Sequence, residues 1–185
     1  MRIVGGIYGG RRLRAPPGRE TRPTSDRVRE ALFSILEARV AGQQTGALAG
    51  ARVLDLFAGS GALGLEALSR GAASAVFVDS ARAAVEAVRA NLATLGLEAP
   101  VHRRDAHAAL RDAALRGDAY DLVFLDPPYR PAAGLAAQLC EALPAVLAPG
   151  ARVVAESDRR APLPLGLAVR DERRYGDTLI RIHDT

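Results

Sequence analysis

Apolar runs and amphipathic stretches alternate along the chain from Ala51 to Glu156. The short runs rich in Val, Leu and Phe predict buried strands, and the segments between them repeat apolar residues at helical spacing. Strands and helices that alternate in this way form a parallel sheet with helices on both faces. The predicted strands are residues 52–57, 74–78, 101–104, 120–125 and 151–156. The predicted helices are residues 62–70, 81–95, 106–116 and 132–143.

The alternation stops after Pro162 and Pro164. Residues 168–170 and 178–182 instead predict two strands around the turn Tyr175-Gly176-Asp177, which gives a terminal antiparallel pair. The chain has 185 residues, of which 49% are hydrophobic, and this is enough for one domain with a sizeable core. The sequence therefore predicts an α/β domain with room for one small appendage.

A glycine-rich loop follows the first predicted strand, in the stretch Asp55-Leu56-Phe57-Ala58-Gly59-Ser60-Gly61-Ala62-Leu63-Gly64. Glycines let the backbone approach a ligand and expose N–H groups at the start of a helix. Their spacing here matches the dinucleotide-binding pattern, which is weak on its own. Asp55 distinguishes a dinucleotide from a ligand that carries an ammonium. Its carboxylate would repel a pyrophosphate but could bind an ammonium directly or through water.

Two further acids follow neighbouring strands. Asp79 lies at the tip of the second strand, where an acid can accept both hydroxyls of a ribose. Asp105 follows the third strand and could accept from an adenine amine, or could simply cap the helix that begins at Ala106. With Asp55, these acids suit S-adenosylmethionine, which has an ammonium, a ribose and an adenine but no phosphate. NAD fits them less well.

The stretch Asp126-Pro127-Pro128-Tyr129 follows the fourth strand, at the edge of the sheet where open α/β proteins bind ligands. The prolines remove two backbone donors, so the Asp126 carboxylate and the Pro127 carbonyl could both accept from one amine. Tyr129 offers a flat face on which a base can stack. The alternative is a strand that ends in an ordinary turn, since consecutive prolines often terminate strands.

Residues 1–23 form the most basic part of the chain, with six arginines against the single acid Glu20. Gly9 and Gly10 can turn the chain back, which predicts a short hairpin or arm. Such an arm would bind phosphates; the alternative is a solvated flexible tail. The arginines are Arg2, Arg11, Arg12, Arg14, Arg19 and Arg22.

A helix capped by Thr24 or Ser25 follows the arm. Val28, Leu32, Ile35 and Leu36 fall on one face at helical spacing. The opposite, polar face is expected to carry Arg27, Arg29 and Glu30.

Composition excludes several classes of site. The single cysteine, Cys140, excludes an intrachain disulfide and a cysteine zinc cluster. His102, His107 and His183 lack metal-ligand spacing, so no metal is expected. No apolar run approaches transmembrane length and no signal peptide opens the chain, so we expect a cytoplasmic protein without a membrane partner.

The glycine loop and the proline tetrapeptide together make the chain resemble the Rossmann-like S-adenosylmethionine methyltransferases that modify exocyclic amines. The stretch Arg22-Pro23-Thr24-Ser25-Asp26-Arg27-Val28-Arg29-Glu30-Ala31-Leu32-Phe33 and the glycine-rich opening are similar to the RsmD family in particular. Members of that family methylate the N2 amine of a guanine in 16S ribosomal RNA. One departure is Asp79, where the family more often has Glu; both can hold a ribose.

The resemblance implies a seven-stranded, mostly parallel sheet whose last strand is antiparallel. It divides the chain into an arm at residues 1–23 and a methyltransferase domain at residues 24–185. The implied catalytic residues are Asp126, Pro127, Pro128 and Tyr129. The implied cofactor-binding residues are Asp55, Phe57, Ala58, Gly59, Ser60, Gly61, Asp79, Ser80, Asp105 and Ala106. The implied RNA-binding residues are Arg11, Arg12, Arg14, Arg22 and Arg27.

The implied partner is 16S rRNA or the small-subunit particle, and a monomer is expected. Three rival interpretations stay open. A DNA adenine methyltransferase usually carries a larger target-recognition insertion, and a protein glutamine methyltransferase usually begins its motif with Asn rather than Asp126. An RNA-binding module on a decayed cofactor fold is disfavoured by the intact acids and glycines.

Overall fold

One sheet of seven strands organises the part of the chain that the computed structural model describes, which is residues 1–17, 25–38, 48–128 and 134–185. Six strands run in the same direction, and the last is antiparallel to both of its neighbours. The strands are β1 (Arg52–Asp55), β2 (Ser74–Asp79), β3 (Val101–Arg103), β4 (Tyr120–Leu125), β5 (Leu147–Asp158), β6 (Val169–Tyr175) and β7 (Thr178–Asp184).

The strand order is β3-β2-β1-β4-β5-β7-β6. The chain starts in the middle of the sheet, runs outward to β3, and then returns to place β4 beside β1. This reversal is the point at which open α/β sheets bind ligands, outside the carboxyl ends of the strands. The predicted mostly parallel sheet with an antiparallel last strand is therefore confirmed.

Five helices cover the two faces of the described sheet: α1 (Asp26–Ala38), α2 (Ala62–Ser69), α3 (Arg82–Leu95), α4 (Ala106–Arg116) and α5 (Leu135–Ala142). The hydrophobic cluster on one face includes residues of α1, α2 and α3, and the cluster on the other face includes residues of α4 and α5. The strands alternate between these clusters; in β4, Leu122 and Phe124 belong to the first and Val123 and Leu125 to the second. A core of this kind holds the strand ends fixed.

Helix α1 begins as predicted but buries a residue that was expected to be exposed. Ser25 Oγ accepts from Val28 N at 3.3 Å, which is an N-cap bond. Leu32 and Leu36 are buried as the spacing requires. Arg29 is buried too, with only 1% of it exposed, so its predicted place on the polar face is wrong. Its guanidinium donates to Asp26 Oδ1 at 2.8 Å and to the backbone carbonyl of Arg2 in the arm.

Some element bounds differ from the prediction. Strand β1 ends at Asp55 rather than Phe57, because the chain turns there into the glycine loop. Strand β5 runs from Leu147 to Asp158 and is twice the predicted length. At its start Leu147 pairs with Tyr120 of β4, and at its end β7 pairs with residues 152–158. Helix α5 begins at Leu135; the earlier start predicted for it lies in residues 129–133, outside the described range, as does Tyr129.

The basic arm turns back on itself, as predicted. Arg2 and Arg12 form an antiparallel bridge, and Ile3 N donates to Arg11 O at 2.9 Å. Ile3 and Leu13 are buried in the first core cluster. Residues 1–17 are thus packed on the domain and do not form a solvated tail. The proposed boundary between residues 23 and 24, and Arg22, fall within residues 18–24, which lie outside the described range.

Among the described residues, no helix is both long and apolar enough to cross a membrane.

Candidate functional site

The loop between β1 and α2 brings backbone N–H groups to the carboxyl edge of the sheet. Gly59 and Gly61 have φ of 56° and 79°, and Gly61 is the N-cap residue of α2. Ala58 N donates to Val78 O at 3.0 Å, which holds the loop against β2. Ala58 and Ser60 are buried, and Phe57 is half-buried and packs on the second core cluster.

Gly64 lets α2 approach β2 closely. A Cβ on Gly64 would lie 2.4 Å from Phe77 Cε1 and 3.2 Å from Asp55 Oδ2. With no side chain in the way, Gly64 N donates to Asp55 Oδ2 at 3.0 Å. The third glycine of the motif therefore sets the position of Asp55 as well as the packing of the helix.

Asp55 is a buried carboxylate, only 2% exposed, at the end of β1. Burial is the main cause that raises its pKa to about 7; the hydrogen bond from Gly64 N opposes this rise, and the nearby Asp79 adds to it. A carboxyl group with this pKa is poised to change its charge near neutral pH. A cation that entered the loop would favour the charged form.

Asp79 ends β2 and is also buried, at 4% exposure. Its Oδ2 accepts from Gly59 N at 2.9 Å and its Oδ1 accepts from Ala81 N at 2.8 Å. The carboxylate thus joins the glycine loop to the start of α3. Ser80, the next residue, is exposed, and its carbonyl accepts from Arg103 Nε at 3.4 Å.

Asp105 caps α4, which was one of the two interpretations open from the sequence. Its Oδ1 accepts from His107 N at 2.9 Å and from Ala108 N at 3.2 Å. The side chain is exposed at the carboxyl edge, and Ala106 behind it is buried. The cap fixes the orientation of the carboxylate, and within the described residues both of its hydrogen bonds are made by Oδ1.

The proline motif lies beside the glycine loop. In the parallel pairing of β1 with β4, Asp55 is level with Phe124, so Asp126 follows two residues beyond that level on the adjacent strand. Leu56 N also donates to Phe124 O, at 3.1 Å. Asp126 and Pro128 are exposed and Pro127 is buried. The sheet thus brings Asp55, Asp79 and Asp126 to one edge on three adjacent strands.

A buried acid in α2 holds the arm in place. Glu66 is fully buried, and its two carboxylate oxygens accept from Val4 N and Gly5 N, each at 2.7 Å. Arg70 Nε donates to Glu66 Oε1 at 2.8 Å, which balances the charge. Ser69 extends the attachment, because its Oγ donates to Gly5 O at 2.6 Å and accepts from Tyr8 N at 3.0 Å.

Asn91 joins the arm directly to the glycine loop. Its Oδ1 accepts from Arg14 N at 2.7 Å, and its Nδ2 donates to Arg14 O at 3.0 Å and to Ser60 O at 2.8 Å. The side chain is only 2% exposed. One buried amide therefore fixes both the last described part of the arm and the middle of the loop.

The candidate RNA-binding arginines lie on the arm and α1. Arg11, Arg12, Arg14 and Arg27 are all exposed, and among the described residues none of these side chains has a carboxylate partner. The arm runs along α2, so that Tyr8 lies near Ser69 at its carboxyl end and Arg14 lies near Ser60 at its amino end. Arg14 is thus beside the glycine loop.

Sequence reasoning missed Glu66 and Asn91. Glu66 gives one signal, because it is an acid within an otherwise apolar helix and has Arg70 one turn later, a spacing typical of an intrahelical ion pair. Asn91 gives none, since it occupies an ordinary position in an amphipathic helix. In the described part of the chain, no group of three or more His, Cys, Asp or Glu could hold a metal ion.

The chain matches a known protein family along almost its whole length. The model of the family described as Conserved hypothetical protein 95 matches residues 1–184. The chain is 40% identical to the putative rRNA methyltransferase YlbH of Bacillus subtilis over 188 residues, which cover 99% of this chain and 98% of that one. The chain belongs to the RsmD family.

A second relative is ribosomal RNA small subunit methyltransferase D of Escherichia coli, 44% identical over 131 residues. That match covers 70% of this chain and 61% of the relative. Among solved structures, a putative methyltransferase of E. coli, yhhF, has a TM-score of 0.80 at 38% identity and covers 100% of this chain and 97% of its own. The fold is that of the S-adenosylmethionine-dependent methyltransferases.

Proposed function

We propose that the protein transfers a methyl group from S-adenosylmethionine to the exocyclic N2 amine of a guanine in 16S rRNA. The observation that carries this proposal is the placement of Asp126 beside the Asp55 loop on adjacent parallel strands. The names of the B. subtilis and E. coli relatives, both rRNA methyltransferases, support an rRNA substrate.

The three carboxylates at the carboxyl edge of the sheet fit the polar groups of S-adenosylmethionine. Asp55 suits the ammonium of the methionine part, because the cation would offset the cost of a buried carboxylate. Asp79 suits the ribose hydroxyls, because each oxygen that accepts from the backbone has a second lone pair. Asp105 suits the adenine amine, because its side chain is exposed and both of its described hydrogen bonds are made by Oδ1. The residues that line this site are Phe57, Ala58, Gly59, Ser60, Gly61, Ser80 and Ala106. When bound, the cofactor supplies the electrophilic methyl group on its sulfonium.

The proline motif would hold the acceptor amine. A guanine amine is a poor nucleophile because its lone pair is delocalised into the ring. Acceptance of its two N–H bonds by the Asp126 carboxylate and the Pro127 carbonyl favours a pyramidal nitrogen. The carboxylate also stabilises the positive charge that develops on nitrogen as the methyl group leaves sulfur, and it would take the proton that the methylated nitrogen then loses. Pro128 stiffens the turn and Tyr129 would stack on the base.

The arm and α1 would hold the RNA backbone. Arg11, Arg12, Arg14, Arg22 and Arg27 are assigned to phosphate contacts, which the exposure of the four described arginines supports. The target guanine must leave its stack to reach Asp126, at a cost of a few kcal/mol that is smaller in a loop. Contacts to flanking phosphates offset that cost.

The deciding experiment is methylation of small ribosomal subunits that lack the modification, followed by mass-spectrometric mapping of the labelled base. The expected product is one N2-methylguanine. The Asp126→Asn variant should bind S-adenosylmethionine with near wild-type affinity, because residue 126 lies outside the glycine loop. Its rate of methyl transfer should fall by at least about a hundredfold. Label on adenine, on DNA or on a glutamine side chain would contradict the proposal, and so would full turnover by the variant.

A further inference from the structure

A turn at the end of β5 presents two adjacent arginines. Ala161 N donates to Asp158 O at 3.0 Å, so residues 158–161 form a β-turn with Arg159 and Arg160 at its two central positions. Arg160 N donates to Asp158 Oδ1 at 2.7 Å, the side-chain bond by which an Asp at the first position stabilises a turn. Arg159 N donates to Asp177 O at 2.8 Å, which anchors the tip to the β6–β7 turn.

The turn stands at the same edge of the sheet as the proline motif. Strand β5 is parallel to β4 and pairs Ala155 with Leu125, so position 156 is level with Asp126. Arg159 follows three residues later, and at about 3.3 Å per residue the turn lies about 10 Å beyond that level. It lies on the opposite side of Asp126 from β1 and the glycine loop.

The two guanidinium groups differ from those around them. On the neighbouring β6–β7 hairpin, four arginines each pair with a carboxylate: Arg170 with Asp184, Arg173 with Asp171, and Arg174 and Arg181 with Glu172. Within residues 134–185 and the other described parts of the chain, Arg159 and Arg160 have no such partner, and both are exposed. Two guanidinium groups without a carboxylate partner are therefore carried by a hydrogen-bonded turn about 10 Å beyond the level of Asp126.

We infer that this turn binds the RNA backbone on the side of the target base that faces away from the arm. A planar guanidinium binds a phosphate through two parallel hydrogen bonds, and Arg159 and Arg160 can engage neighbouring phosphates. The turn lies about 10 Å beyond the level of Asp126, close enough for its guanidinium groups to contact phosphates that flank the methylated base. The inference rests on the proposed function, because it requires an RNA target at Asp126.

The test is a salt titration of binding to an unmodified 16S rRNA transcript. The variant is Arg159→Gln/Arg160→Gln, which leaves an exposed turn that accepts most residues. The matched control is Arg89→Gln/Arg111→Gln, which removes the same charge from exposed positions on α3 and α4 that have no carboxylate partner among the described residues. In the turn variant, the slope of log K against log salt should be shallower by about 1.5, the value for two lost phosphate contacts. The control should keep the wild-type slope, and both variants should keep wild-type affinity for S-adenosylmethionine.

Three results would overturn the inference. The turn variant could keep the wild-type slope, or the control could change it equally, which would point to net charge alone. A defect seen only with assembled subunits would assign the turn to a ribosomal protein instead. A wild-type protein that methylates neither the transcript nor unmodified small ribosomal subunits would overturn the proposed function itself, which separates the two failures.

Discussion

The side-chain amide of Asn91 donates a hydrogen bond to the backbone carbonyl of Ser60 at 2.8 Å. The same side chain holds both backbone groups of Arg14. A residue of α3 thus connects the arm to the loop at the amino end of α2, although the two segments are far apart in sequence.

Replacement of Asn91 should weaken both cofactor binding at the glycine loop and the attachment of the arm. Asn91→Ala removes three hydrogen bonds and leaves the buried Ser60 carbonyl without its donor, at a cost of about 1–3 kcal/mol. We expect a lower free energy of unfolding in denaturant titrations and weaker S-adenosylmethionine binding by calorimetry. Asn91→Asp keeps the acceptor for Arg14 N but places a carboxylate against two carbonyls, so it should be at least as harmful. Wild-type cofactor affinity in both variants would show that the loop holds its shape without Asn91.

Asp55→Asn should separate stability from cofactor binding. The folded-state pKa of Asp55 is raised to about 7 by burial, so between the unfolded value near 3.8 and about 7 the native state binds the extra proton. The stability due to Asp55 is thus fully present below pH 3.8 and is lost as pH rises to about 7. The asparagine still accepts from Gly64 N and does not titrate. The variant should therefore gain stability relative to wild type from pH 5 to pH 8, measured by denaturant unfolding.

The same substitution should weaken S-adenosylmethionine binding and remove its pH dependence. In the wild type, affinity should fall by up to about tenfold for each pH unit below about 7, because the carboxylate must be charged to pair with an ammonium. Calorimetry at pH 5.5, 6.5 and 7.5 measures this dependence. Wild-type and variant profiles that run parallel would show that Asp55 does not face the ammonium.

Gly64→Ala should push α2 away from β2. Its Cβ would lie 2.4 Å from the Phe77 ring, and such overpacking typically costs about 1–3 kcal/mol. The displaced Gly64 N–H would also weaken its bond to Asp55, so cofactor affinity should fall with stability. The double variant Gly64→Ala/Phe77→Leu provides room at the contact and should recover part of both losses. Absence of any recovery would mean that the ring is not what limits the approach of the helix.

Glu66→Gln should detach the arm. The amide would face one backbone N–H with a donor, and Arg70 would keep only its second carboxylate partner, Glu37, to which Nη1 donates at 3.1 Å. The loss should therefore be smaller than the roughly 3–5 kcal/mol of a buried charge left without any partner. Faster proteolysis near residues 1–17 and a lower midpoint in denaturant are expected. The control is Glu86→Gln, which breaks an Arg–Glu pair with the same helical spacing, formed with Arg82 in α3, where both side chains are exposed. It should leave the denaturation midpoint close to the wild-type value, because exposed ion pairs contribute little to stability.

Removal of the arm's arginines should weaken RNA binding and leave the affinity for S-adenosylmethionine unchanged. Arg11→Gln/Arg12→Gln/Arg14→Gln should make the slope of log K against log salt shallower by about 2 to 3. Backbone groups of Arg14 hold the arm, so the substitution leaves that attachment in place. Salt titrations with the 16S transcript measure the slope. An unchanged slope would show that these arginines do not contact RNA phosphates.

The strands and the loop at the carboxyl edge could be predicted because their signals are local. Strand β4 matches its predicted bounds, since Tyr120 to Leu125 is apolar apart from Asp121. Asp55, Asp79 and Asp126 are adjacent because each follows a parallel strand, and alternation of elements is enough to place strand ends together. The length of β5 could not be predicted, because its two ends depend on pairing with other strands, Leu147 with Tyr120 of β4 and Asp158 with Thr178 of β7.

The attachment of the arm could not be predicted, because it depends on contacts across 61 to 77 residues. Arg29 illustrates the difficulty. Its position on the helix predicts a solvent-facing cation, but the Arg2 carbonyl covers it, and only the fold brings these two residues together. For Asp105 the sequence left two roles open, because an N-cap residue and a ligand-binding acid are the same residue type at the same position.

Helix α2 has only eight residues, a length of about 12 Å, yet its first turn shapes the loop around Asp55 while Glu66 and Ser69 hold the arm. If this arm were moved alone onto a relative, it would leave behind the carboxylate and the hydroxyl of α2 that bind it. Chimaeras built to exchange RNA preference should therefore carry residues 1–17 and 62–70 as one cassette.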